Sequence, residues 1–133
     1  MSKWVSTAVN VGPTLFAAEV RGHRLFGDVP EALGGHDTAM IPPEGMLAVL
    51  ANCMGMEIAL ACRAHDIPYA GMKLTAEAEW DEKEHFLHDF RLTVQMPEKL
   101  DDHARRVVEA GAAMCTIRNT LQRGAQVALA IED

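Results

Sequence analysis

The sequence predicts an α+β fold, in which runs of short strands and runs of helices alternate along the chain. Three observations carry this. Met72, Leu74, Ala76, Ala78 and Trp80 alternate with charged or polar neighbours, the period of a half-buried strand. PPEGMLAVLANCMGMEIALAC is apolar almost all round and too long for a strand, so it reads as a buried helix. The resulting order, βββ–α–ββ–α–α–β, groups strands with strands and helices with helices rather than interleaving them. At 133 residues the chain is expected to form one domain over residues 1–133.

The elements follow in order. Residues 4–10 and 14–20 read as short strands, with Gly12-Pro13 as turn chemistry between them. A third strand, His23 to Phe26, follows the turn at Gly22. GDVPEALGGHDTAMIPP is rich in Gly and Pro and has no period, so it reads as a loop. Pro42-Pro43-Glu44 opens the helix, because proline suits a first helical turn and an acid suits its positive end. That helix is expected from about Pro43 to His65, stopped by Asp66-Ile67-Pro68. The strand around Met72 to Trp80 then pairs, across the charged turn DEKE, with one whose inner row is Phe86, His88, Phe90, Leu92, Val94 and Met96. Leu100, Ala104, Val107, Val108 and Gly111 fall at helical spacing. A further short helix is predicted from Cys115 to Arg123, ended by Gly124, and AQVALAIED is expected to close the chain as a strand.

Composition narrows the function classes. The net charge of -7, without a basic run, disfavours nucleic acid and anionic membrane as partners. MSKWVSTAVNV has no apolar core of a signal peptide. The apolar stretch Met46 to Cys62, interrupted by Asn52, Gly55 and Glu57, is judged too short to span a bilayer. Three cysteines without secretory context argue against a disulfide scaffold, so a cytoplasmic setting is expected. The six histidines form no HExxH, no CxxC is present, and neither a metal site nor a bound cofactor is expected. Eight methionines suit irregular core gaps or an adaptable apolar pocket.

Cys53, inside the apolar helix, and Cys115, opening CTIRNTLQRG, are the candidate reactive thiols. A helix start lowers a thiol pKa, which favours a reactive Cys115. Cys62, nine positions past Cys53, lies on the far face of the same helix and about 13 Å along it, so it reads as core. If Cys53 and Cys115 do not meet in the fold, they are small buried hydrophobes, the commoner fate of a cytosolic cysteine.

GHRLFGDVPEALGGHD, PPEGMLAVLANC and AAMCTIRNTL, in this order and spacing, resemble the OsmC/Ohr superfamily over most of the chain. The resemblance implies an OsmC-like fold: antiparallel sheets wrapped around a long central helix, in an intertwined homodimer with a cysteine pair at each of two interface sites. It implies a stress-response peroxidase in which Cys53 attacks a hydroperoxide and Cys115 resolves the sulfenic acid as a disulfide. An external dithiol such as a lipoyl group would restore the enzyme.

The groups that activate the thiol in the peroxidase branches are a glutamate ten positions before the cysteine and an arginine in the turn after the first strand. Here those places hold Pro43 and NVGPT. Glu44 is one step off and faces away from Cys53, which makes it a first-turn acid. Arg21 and Arg24 are candidate supporting groups from the next turn, and Glu57, four residues past Cys53, shares its helix face. Two functions follow. One is a thiol-dependent reductase of organic or inorganic hydroperoxides. The other is a binding module for a small apolar or acyl ligand, with inert or redox-sensing cysteines; a different thiol-transfer reaction at Cys53 is not separable from the first.

Overall fold

A computed structural model of the protein describes residues 2–133. They divide into two compact units, one up to Met46 and one over Leu47–Asp133.

The first unit is built on a three-stranded antiparallel sheet of β1 (Thr7–Asn10), β2 (Phe16–Val20) and β3 (His23–Gly27), in that spatial order. The first two strands are shorter than their sequence patterns suggest, because Trp4 and Val5 find no partner strand and the turn consumes Val11 to Leu15. Asn10 holds that turn, its Nδ2 donating to the carbonyls of Gly12 and Leu15. Between β2 and β3 the hairpin closes on Arg21 and Gly22, both at positive φ (52° and 83°). Two central residues at positive φ match the right-handed twist of the flanking strands, which is why glycine stands there. The loop after β3 contains a short 3-10 turn, Glu31–Leu33, and is anchored by Asp28. The Asp28 carboxylate accepts from Thr14 Oγ1 at 2.6 Å, from the Val29 amide at 2.8 Å and from the Thr38 amide at 3.0 Å. These donors favour the charged form, so they hold its pKa far below the carboxylate range.

The helix α1 (Pro42–Ala64) starts at the close of this unit. Glu44 Oε1 accepts from the Ile41 amide at 3.0 Å, one half of a capping box. Glu44 is thus spent on the helix end, as its register predicted.

In the second unit α1 meets a hairpin of β4 (Lys73–Asp81) and β5 (Phe86–Gln95), then α2 (Asp102–Ala113) and α3 (Thr116–Arg123). An isolated two-stranded sheet is marginal in water, so the hairpin depends on what it packs against. Leu50, Met54, Ile58 and Cys62, each one turn from the next, form the buried stripe of α1. Against it pack Leu74 and Ala76 of β4, Phe90, Leu92 and Val94 of β5, Val108 of α2, and Ile117 and Leu121 of α3.

Three sequence expectations change. Helix α1 is buried along one stripe of this chain only: Met56 and Leu60, on another face, are 63% and 51% exposed. Its length and apolar composition alone would also suffice to cross a membrane, a weak signal that core helices share. The register of the hairpin shifts between Glu77 and Glu79, with Asp89 at φ 52° as the extra residue on β5. A bulge reverses which face the later residues meet, so Leu87 pairs with Trp80 while Phe86 and His88 leave the inner row. Finally, residues 125–133 form no strand; Val127, Leu129 and Ile131 are 85–90% exposed. Their alternating pattern suits a sheet edge, yet no strand of this chain pairs with them.

Candidate functional site

Cys53 lies in the middle of α1, half-buried, and packs against the core cluster. Its position follows from helix register. Met54, next to it, belongs to the buried stripe, which places Cys53 at the border between core and accessible surface.

Cys115 comes to it from a distant part of the chain. Helix α2 is started by Asp101, whose Oδ1 accepts from the Ala104 amide at 2.7 Å, a cap contributing about 1 kcal/mol. The helix then crosses α1 at Gly111. A Cβ there would stand 3.0 Å from the Glu57 carbonyl oxygen, 3.0 Å from Ile58 Cα and 3.1 Å from Ala61 Cβ. Only glycine allows backbones to approach so closely. From that crossing the chain turns through Met114 into Cys115, which is the N-cap of α3.

Cys115 is completely buried, and its Sγ accepts from the Arg118 amide at 3.5 Å. Cys53 packs against the buried cluster that contains Cys115, and its thiol is near enough to bear on the Cys115 thiol. All three cysteines are free thiols. Burial pushes the Cys115 thiol pKa up, the amide at the helix start pulls it down, and the Cys53 thiol pushes it up again. Burial wins over the helix start, the reverse of what position alone suggested. Cys62 is buried too, its pKa raised by desolvation, and it stays in the core as predicted.

The candidate supporting residues fall in different places. Arg24, in the first unit, sits 3.7 Å from Glu19 Oε2. Arg21 occupies the β2–β3 turn, its backbone committed to positive φ. Glu57 is half-buried, one turn past Cys53. Among the described residues, no group of three or more His, Cys, Asp or Glu is arranged to hold a metal ion. Two contributors were missed from sequence: Gly111, read only as a helical position, and the Arg118 amide, a backbone group. The signal for both was the segment GAAMCTIR, with a glycine on the helix face that meets α1 and a cysteine three residues before the amide it caps.

The family model described as OsmC-like protein matches residues 35–130. Among curated proteins none matches the sequence. Solved structures share the fold. A Psychrobacter arcticus 273-4 protein assigned to osmotic stress induction and detoxification response aligns with a TM-score of 0.77 at 18% identity, over 90% of this chain and 88% of its own. An OsmC like protein from Mycoplasma pneumoniae gives 0.69 at 19% identity, over 91% and 88%. An organic hydroperoxide resistance protein from Elizabethkingia anophelis gives 0.58 at 20% identity, over 92% and 91%. With its helices and antiparallel sheets arranged in the fold of these structures and the family match spanning most of its length, the chain belongs to the OsmC-like protein family.

Proposed function

We propose that the protein is a cysteine-based peroxidase that reduces organic or inorganic hydroperoxides through Cys53 and Cys115. What supports this reading is the proximity of the two thiols, one in the middle of α1 and the other at the α2–α3 junction. The half-buried Cys53 is the attacking sulfur, because a substrate can reach it; the fully buried Cys115 is the resolving one. The Cys53 thiolate attacks the outer oxygen of ROOH, the O–O bond breaks, and the sulfur becomes a sulfenic acid while RO⁻ leaves and takes a proton. Cys115 then attacks the Cys53 sulfur; the S–S bond forms and water is released. An external dithiol reduces the bridge by exchange, and no bound cofactor takes part. A small thiol pair served by a soluble dithiol fits a reducing, cytoplasmic setting.

Self-association belongs to the same reading. Met56 and Leu60 on α1, together with Val127, Leu129 and Ile131 in the tail, are large apolar side chains left exposed by this chain. A second copy is the partner proposed to cover them, as in a homodimer.

One observation favours the alternative, a binding protein for a small apolar or acyl ligand. Cys115 has its pKa pushed up by burial, which suits an inert or slowly responding thiol. A single titration separates the two. Reduced protein is treated with cumene hydroperoxide or hydrogen peroxide and its disulfides are mapped by mass spectrometry. Rapid Cys53–Cys115 bridging, abolished by Cys53→Ser, is the expected result. Thiols that remain unmodified at excess peroxide would end the peroxidase reading.

A further inference from the structure

Between Glu44 and Arg63, helix α1 carries one charged side chain, Glu57, in a run of apolar and small residues interrupted otherwise only by Asn52. It stands one helical turn past Cys53, so the two side chains share a face with Cβ atoms about 5–6 Å apart. Side chains on a helix lean toward its N-terminus, which directs Glu57 over the turn that holds Cys53. The carboxyl is half-buried, and among the described residues it takes part in no side-chain hydrogen bond and no ion pair within 4.0 Å. Its backbone is fixed: the Glu57 carbonyl faces Gly111 where α2 crosses, four residues before Cys115. A carboxyl that serves no structural bond, on a pinned backbone, beside an accessible thiol, is arranged for proton transfer.

We propose that Glu57 is the proton shuttle of the hydroperoxide reaction, taking the proton of Cys53 and delivering it to the leaving alkoxide. This rests on the peroxidase reading above. As the Cys53 sulfur attacks the outer oxygen of ROOH, its proton passes to the Glu57 carboxylate. The O–O bond breaks, and the protonated carboxyl gives that same proton to the departing RO⁻. The balance is Cys53–SH plus ROOH giving Cys53–SOH plus ROH, with Glu57 ending as it began. The sulfur is oxidised, the peroxide is reduced, and no other reactant is required. The arrangement answers the chemical need left by Pro43 and NVGPT, since one carboxyl can both ionise the thiol and neutralise the leaving group.

The leaving group provides the test. An alkoxide is strongly basic and needs a proton to depart, whereas the carboxylate released by a peracid does not. Single-turnover rates of Cys53 oxidation are measured with cumene hydroperoxide and with peracetic acid, in the wild type and in Glu57→Gln, at one pH. Glutamine keeps the size and polarity but cannot shuttle a proton. The expected result is a loss of roughly 10²-fold with cumene hydroperoxide, which uses both proton transfers, and a smaller loss with peracetic acid, which uses only the transfer from Cys53. Retained peracid reactivity also reports that the thiol pair is intact. Equal losses with both oxidants, or no loss with either, would overturn the shuttle while leaving the peroxidase reading standing. If Cys53 reacts with neither oxidant in the wild type, the peroxidase reading fails and the shuttle with it. Should Glu57→Gln not fold, the wild type alone decides: a rate that rises steeply as the leaving group becomes less basic shows that no acid assists, and refutes the proposal.

Discussion

Replacing Gly111 with alanine tests whether the α1–α2 crossing positions the thiol pair. The added Cβ would stand 3.0 Å from both the Glu57 carbonyl oxygen and Ile58 Cα. Carbon atoms rest at about 3.5–4.0 Å, so α2 must withdraw from α1 by about half an ångström, since backbone atoms cannot rotate aside. Such overpacking costs about 1–3 kcal/mol. Against it, alanine is favoured over glycine inside a helix by up to about 1 kcal/mol. The expected net loss is about 1 kcal/mol, seen as a lower midpoint in urea unfolding with an unchanged slope. Ala110→Gly calibrates the second effect, because Ala110 is exposed on the same helix and its change reports propensity alone. Cys115 lies a few residues beyond the crossing, so the Cys53–Cys115 bridge should also form more slowly in Gly111→Ala. If Gly111→Ala gains as much stability as Ala110→Gly loses, and bridges at the wild-type rate, the close crossing plays no part in placing the thiols.

Other perturbations give separate readouts. Ile58→Ala removes a fully buried side chain from the centre of the α1 stripe and should cost about 2–5 kcal/mol in urea unfolding; a loss below 1 kcal/mol would mean that the site collapses around the gap. The Asp28 pKa is depressed in the folded state, so its contribution is present above the ordinary carboxyl range and is lost as the pH falls toward the folded value. Asp28→Asn should therefore speed hydrogen exchange at the Val29 and Thr38 amides at neutral pH, and unchanged protection would show that the carboxylate does not hold the loop. The Cys62 pKa is raised by burial, so its contribution is complete below the unfolded thiol value and declines as the pH rises through the folded one. Cys62→Ala should flatten the fall in stability above about pH 8.5, and an identical alkaline limb in both proteins would assign that fall elsewhere. Leu129→Asp, at an exposed tail position, should leave urea unfolding of the dilute protein unchanged while weakening self-association in sedimentation; an unaltered sedimentation profile would exclude the tail from the interface.

Local patterns were enough to mark most elements. Alternation gave both strands of the β4–β5 hairpin, and the prolines with Glu44 gave the start of α1, because these signals depend on neighbours within a few residues. The bulge at Asp89 escaped notice: one residue at positive φ leaves the composition intact while reversing Leu87 and Phe86. The tail shows the opposite failure. Val127, Leu129 and Ile131 carry a strand pattern, but a strand requires an edge to bond to, and this chain offers them none.

The sequence by itself determined that Cys53 lies in an apolar helix with Glu57 one turn away, and that Glu44 belongs to the helix start rather than to the thiol. Helix register is a local property, fixed by about 100° of rotation per residue. The tertiary structure alone decided that Cys115 comes near Cys53, because the two lie on different elements and α2, which leads to Cys115, crosses α1 closely at Gly111. It also decided that Cys115 is governed by burial rather than by its helix start, since desolvation reflects everything packed around a thiol and not its position in the chain.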